Sequence, residues 1–257
     1  MMMRKTIGQE FMKQTYPQYL GISPQAEGVP QPPLELAIPA NAHLIPLPPA
    51  HEIQTAPLDL RSAMEERRSI RQYSDQPVSL EELSLLLWLT QGVKRVTERP
   101  ITKRTVPSAG GRHSFETFIL VNRVTGLQPG IYRFAALEHA LVEVDLSPAV
   151  GEQVYKACLK QSHVQTSAVS FFWAAIAERM LWRYVERGYR YLLLDAGHIC
   201  QNLYLAASLV GCGTSSIASF IDDDLNRLMG LDGEKHFIVY GGTLGKRDPN
   251  QDAIAGD

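Results

Sequence analysis

Apolar positions recur along this chain with two different periods. Over residues 79–93 (SLEELSLLLWLTQGV) they fall at Leu83, Leu86, Leu87 and Leu89, the spacing of a helix face. Ser79 with Glu82 three residues on makes a capping box, and Gly92 is placed to end the helix. Residues 58–69 (LDLRSAMEERRS) predict an earlier helix capped by Asp59. Residues 147–161 predict another, with Ser147 as cap and Pro148 in its first turn. Helical spacing then runs through residues 180–211, with a break expected near Gly188 and a stop at Gly211 or Gly213. The strand pattern is different. ETFILVNRV (116–124), GIYRF (130–134), ALVEVD (140–145), VSFFWAAIA (169–177) and HFIVYGGTLGK (236–246) are dense in β-branched and aromatic residues. VSFFWAAIA is apolar enough to be a central strand. Helices and strands mix without regular βαβα alternation, which favours α+β over a doubly wound sheet.

Residues 1–57 break both patterns. Most of the 16 prolines fall there, in runs such as VPQPPLELAIP and LIPLPP. Proline disfavours helix interiors and central strands. Leu34, Leu36, Ile38, Leu44, Ile45 and Leu47 interleave with the prolines, so the expectation is an extended arm lying on a protein surface. The chain therefore divides into an arm, 1–57, and a globular domain, 58–257.

Composition narrows the function classes. With 257 residues, 45% of them hydrophobic, and a net charge of -2, nothing favours nucleic acid or an anionic membrane as partner. No apolar stretch approaches the roughly 20 residues that span a bilayer. MMMRKTIGQEF turns polar at once, without the apolar core of a secretory signal. Three scattered cysteines, Cys158, Cys200 and Cys212, suit neither a disulfide framework nor a metal site, and point to a cytoplasmic location. No metal is expected. Asp222, Asp223 and Asp224 read as the acidic first turn of a helix.

Three groups carry candidate chemistry. Arg67, Arg68, Ser69 and Arg71 crowd cations and a hydroxyl into five residues, either as an anion site or as a surface paired with Glu65 and Glu66. Pro107, Ser108, Ala109, Gly110 and Gly111 are small residues that let a backbone approach a flat ligand. Residues 211–220 (GCGTSSIASF) read as a serine-rich loop. His113 stands between a structural and a proton-transfer role. His198, on the long apolar helix, reads as a structural histidine. Tyr184, Tyr189 and Tyr191 with Arg183, Arg187 and Arg190 form either a substrate mouth or an interface.

Taken together these motifs resemble the FMN-dependent nitroreductase superfamily, and within it the SagB-type dehydrogenase branch. Arg67-Arg68-Ser69-Ile70-Arg71 is similar to the family's R-R-S-x-R opening, and Pro107 to Gly111 to its P-S-x-G-x loop. DAGHICQNLYLAASLVGCGT (195–214) resembles the SagB-type helix, and IGQEFMKQT (7–15) that branch's leader. The resemblance implies a nitroreductase-like sandwich, with a mixed, mainly antiparallel sheet and flanking helices, working as an intertwined homodimer with FMN between the subunits. It implies that Arg67, Arg68, Ser69 and Arg71, with Lys246 or Arg247, hold the phosphate and ribityl end. Pro107, Ser108 and Ala109 would line the ring from the partner chain. Ser216, Ile217, Ala218 and Ser219 would face the ring.

Two positions depart from the family. Ser216-Ile217-Ala218-Ser219-Phe220 stands where relatives read P-I-G-[AG]-F, and Gly111 stands where they often carry asparagine. The implied function is hydride transfer from NAD(P)H to a small acceptor: a nitroaromatic, a quinone or an enone. The branch implies another, oxidation of an azoline in a modified peptide. A flavin-binding protein with little turnover and a scaffold with a basic patch are the remaining readings.

Overall fold

A computed structural model describes residues 6–248; residues 1–5 of the arm and 249–257 of the domain lie outside the described residues. The element order is α1 (Ile7–Gln14), β1 (Leu44–Pro46), α2 (Leu60–Glu66), α3 (Leu80–Gln91), β2 (Val93–Val96), β3 (Thr102–Arg104), β4 (Phe115–Val121), β5 (Gly130–Ala135), β6 (Ala140–Asp145), α4 (Val150–Ala157), α5 (Ser162–Thr166), β7 (Val169–Ile176), α6 (Ala177–Tyr184), α7 (Gly188–Leu209), β8 (Cys212–Ile217), α8 (Asp222–Leu228) and β9 (His236–Lys246).

Seven strands form one sheet in the order β1-β6-β5-β4-β7-β9-β8, and β2 pairs with β3 in a separate hairpin. Every ladder is antiparallel. Among the described residues parallel pairing is confined to two isolated bridges, Ser69 with Thr214 and Val78 with Val124. The two-residue period of a strand explains the continuous apolar run of β7. Phe171, Trp173 and Ala175 enter the core beneath α3 and α7, while Phe172 and Ala174 enter the one beneath α4 and α8. Each of the fully buried phenylalanines contributes roughly 1.5–3 kcal/mol relative to exposure. The sheet is thus the middle layer of an α+β sandwich.

The predicted caps of α2 and α3 are present. Asp59 accepts from Ser62 N at 2.8 Å, and Ser79 and Glu82 exchange their reciprocal bonds. Three boundaries differ from the sequence reading. Helix α2 ends at Glu66, before the arginines, and Arg67 is already extended. Helix α4 starts at Val150 after Ala149, because Ser147 bonds through its N–H to Asp145 and caps nothing. Residues 212–217 are an edge strand and not a loop: small side chains fit against β9, whose glycines 241, 242 and 245 face them in the ladder. The long helix breaks where expected, with Val185 at φ 41° between α6 and α7.

The arm lies along its own chain. Contrary to the proline-based expectation it carries regular structure, α1 with a Thr6–Gln9 capping box and β1 on the sheet edge, where Pro46 needs no second partner. Buried side chains bind its backbone: Trp182 Nε1 donates to Val29 O at 2.7 Å and Arg179 Nε to Pro33 O at 2.8 Å. Arg133 donates to Leu36 O and Ala37 O, both at 3.1 Å. Behind them Glu116 bridges Arg179 at 2.7 Å and Arg133 at 3.2 Å. Among the described residues no helix is long and apolar enough to cross a membrane.

Candidate functional site

Because residues 67–71 are extended, alternate side chains share a face. Arg67, Ser69 and Arg71 are all exposed, while Ile70 turns inward against Gly213, where a Cβ would lie 2.6 Å from Ile70 Cβ. Backbone bonds fix the segment to the sheet: Ile70 N donates to Thr214 O at 2.9 Å, and Ser74 N to Lys246 O at 3.0 Å. Tyr73 buttresses it from below, its hydroxyl donating to Ile70 O and meeting Thr243 Oγ1, each at 2.7 Å.

Glu65 pairs with Arg61 at 2.8 Å. Among the described residues no carboxylate pairs with Arg67 or Arg71. Arg67 instead lies over the ring of Tyr204, 5.3 Å from its centroid. The Tyr204 hydroxyl is 3.0 Å from Ser69 Oγ and accepts from Ser216 N at 3.0 Å. One residue of α7 therefore joins the arginine segment to β8. At the end of β9, Lys246 Nζ is held by Glu82 Oε1 at 2.5 Å and Val210 O at 2.8 Å. Arg247 is held by its backbone to Gly211 O, and its Nε is a buried donor without an acceptor among the described residues. Two unneutralised guanidinium groups, an exposed hydroxyl and an orphaned buried N–H suit a multiply charged anion such as the phosphate of FMN. The residues present fit that group.

The second predicted group lies elsewhere on the same chain. Ser108 Oγ donates to Asp195 Oδ2 at 2.5 Å and Ala109 N to Asp195 Oδ1 at 3.1 Å. Burial pushes the Asp195 carboxyl up, and these two donors partly offset the shift. Gly110 and Gly111 both have positive φ. Pro107 is exposed at the head of the loop. Asp195 and Tyr204 are nine residues apart on α7, about 14 Å along the axis. One chain therefore brings together Arg67, Ser69 and Ser216, and places the Pro107–Gly111 loop a full helix segment away. Ile217 is buried in the strand; Ala218 and Ser219 follow it and are exposed.

His113, next to that loop, is buried at φ 44° with Nδ1 lacking a partner among the described residues. Burial, reinforced by the charges of Arg104, Lys103 and Arg112, pushes its pKa down to about 3. That is far from the value a general base needs near neutral pH. His198 lies on the exposed side of α7 and not against the core, sharing that side with Leu193 and Leu194, which are 58% and 60% exposed. The tyrosine–arginine group is internally packed: Tyr184 meets Tyr191 edge-on at 4.8 Å, and Arg187 bonds Tyr191 Oη and the arm's Thr15 O. Burial pushes all three thiols up to about 12. Asp224 pairs with Arg227 in the first turns of α8.

Tyr204, Tyr73, Asp195 and Glu82 are the residues that sequence reasoning missed as parts of this site. Tyr204 had a visible signal, a phenol on an otherwise apolar stretch (NLYLAASL). The others make contacts set only by the tertiary fold.

Residues 64–246 match the Nitroreductase family. The chain belongs to that family. A protein of Methanocaldococcus jannaschii named as a nitroreductase, MJ1384, is 35% identical over 185 residues, spanning 72% of this chain and 88% of its own. Trifolitoxin-processing protein TfxB of Rhizobium leguminosarum bv. trifolii is 29% identical over 134 residues, 51% of this chain and 36% of that protein. Among solved structures, a family member from Anabaena variabilis ATCC 29413 superposes with a TM-score of 0.62 at 30% identity. It covers 74% of this chain, which in turn spans only 38% of that longer one.

Proposed function

We propose that this protein is an FMN-dependent oxidoreductase that moves hydride between a reduced nicotinamide, NADH or NADPH, and a small acceptor such as a nitroaromatic, a quinone or an enone. The carrying observation is the cluster of Arg67, Ser69 and Arg71 on one face, free of carboxylates among the described residues and close to the chain segment that ends in Arg247. These residues would hold the phosphate, with Arg68 beside them. Lys246, already neutralised by Glu82, would act by positioning the strand end. FMN supplies the two-electron centre that nothing in the polypeptide provides. The chain's own part is to clamp the anionic end, present the backbone of residues 216–219 to the ring, and keep a flat surface open.

The site as proposed needs a second copy. The Pro107–Ala109 loop is held at Asp195, about 14 Å along α7 from Tyr204, and on this reading it would line the ring bound by the neighbouring copy. Leu60, Met64, Leu193 and Leu194 are large apolar side chains left exposed on α2 and α7, the face that a homodimer would cover. Neither nucleic acid nor membrane enters this reading, and a cytoplasmic location accords with it.

The test is anaerobic mixing of the FMN-loaded protein with NADH or NADPH. Loss of flavin absorbance, and its return on adding a quinone or nitroaromatic, is the expected result. Flavin that stays oxidised with both nicotinamides sinks the reductase reading. A second reading, SagB-type azoline oxidation on a modified peptide, is supported by the likeness to the trifolitoxin-processing protein. It predicts that an azoline-bearing peptide, and no nicotinamide, bleaches the flavin. A flavin-binding protein with little turnover predicts bleaching by none of them.

A further inference from the structure

Among the described residues Tyr204 Oη has two hydrogen-bond partners, Ser216 N and Ser69 Oγ, each at 3.0 Å. The backbone N–H of Ser216 can only donate, so the phenol oxygen accepts there. Its own proton then has one place to go among the described residues, Ser69 Oγ. In the opposite order, with Ser69 donating to the phenol, the Tyr204 proton would have only solvent to go to, and an anion beside Ser69 favours the first order, which frees the serine proton. With the phenol donating, the Ser69 hydroxyl proton is released from the protein and faces the exposed side of the segment, between Arg67 and Arg71.

We infer that Tyr204 is a positioning residue for the anionic end of the ligand. With an anion bound it runs a chain from Ser216 N–H through its own hydroxyl to Ser69, so that Ser69 presents a proton to a phosphate monoester. Each donor in such a chain polarises the next, which strengthens the terminal bond to an anion. Arg67, stacked on the same ring, is held at the same spot. The inference rests on the FMN reading above and adds a consequence to it. The Ser216 N–H is already engaged, so any donor to the ring edge comes from beyond Ser216.

The experiment is equilibrium titration of the apo full-length protein with FMN and with riboflavin, which lacks the phosphate, for wild type, Tyr204→Phe, Ser69→Ala and the double variant. Tyr204→Phe keeps the ring under Arg67 and removes only the hydroxyl. It should weaken FMN about tenfold and leave riboflavin within about twofold, the loss of one charge-assisted bond's alignment. In the Ser69→Ala background the same change should cost nothing further. Equal weakening of FMN and riboflavin would make Tyr204 merely structural and overturn the inference, as would an equal cost in both Ser69 backgrounds or no change. If Tyr204→Phe does not fold, Ser69→Ala and Ser69→Thr decide. Loss of the FMN preference in the first and its retention in the second support the chain, and an unaltered preference in Ser69→Ala overturns it. Wild type that binds neither compound defeats the cofactor reading itself and this inference with it.

Discussion

Gly110 lies directly beneath the Tyr184 hydroxyl, so closely that a Cβ at 110 would collide with Tyr184 Oη. Its neighbour Gly111 has a similar positive φ, 64° against 57°, but open space around the missing Cβ. The pair separates two reasons for glycine. Gly111→Ala should cost only the left-handed backbone penalty, about 1 kcal/mol. Gly110→Ala adds a collision with a ring already packed on Tyr191, and should cost at least twice as much. Urea unfolding of the two variants checks this; equal losses would mean that Tyr184 moves aside freely.

His113 sets a pH dependence. Its folded pKa, pushed down to about 3, lies below the ordinary 6.5 of the unfolded chain. Between these values the unfolded chain binds a proton that the folded one does not, so stability falls as pH drops from about 6.5 toward about 3, and is unaffected above that window. His113→Asn, a residue that tolerates the positive φ, removes the titration. The expected result is a flatter loss of stability on acidification than wild type shows, measured as urea midpoints from pH 7 to pH 4. Parallel curves would contradict it.

Arg67→Ala removes both a proposed phosphate contact and the cation over Tyr204. A lost charge-assisted hydrogen bond is worth about 2 kcal/mol, so the FMN dissociation constant should rise roughly thirtyfold. Riboflavin should be much less affected, because Arg67 lies at the anionic end. An unchanged FMN constant by calorimetry or fluorescence titration would remove Arg67 from the site.

The parts of this molecule visible in its sequence are those governed by neighbours along the chain. The Ser79–Glu82 box, the break before Gly188 and the doubly buried strand 169–176 follow from spacing alone. The strand at 212–217 was not visible, because Cys-Gly-Thr-Ser-Ser lacks the bulky branched residues that announce a strand. It is one only because the glycines of β9 accept it at close range. The site divides the same way. The arginine segment could be found as a motif, but its freedom from Glu65 depends on α2 ending at Glu66, where Glu65 still reaches back to Arg61. Asp195's hold on the Ser108 loop spans 87 residues of sequence and leaves no local trace.

The arm offers the sharpest stability test, because its attachment is electrostatic and buried. Glu116, 3% exposed, neutralises Arg133 and Arg179, and the same oxygen that meets Arg179 accepts from Leu36 N at 2.9 Å. The arginines in turn donate to arm carbonyls, Arg179 to Pro33 and Arg133 to Leu36 and Ala37. Glu116→Gln keeps the shape but leaves two buried cations without their counter-charge, which should cost about 3–5 kcal/mol. Removing residues 1–43 should also destabilise the domain, since it strips those carbonyls away. It opens the arginines to water as well, so Glu116→Gln should then cost much less than in the full chain. That non-additivity is the signature of one shared network. If the two changes simply add in urea titrations, the arm is draped over the domain and the charges beneath it stand alone.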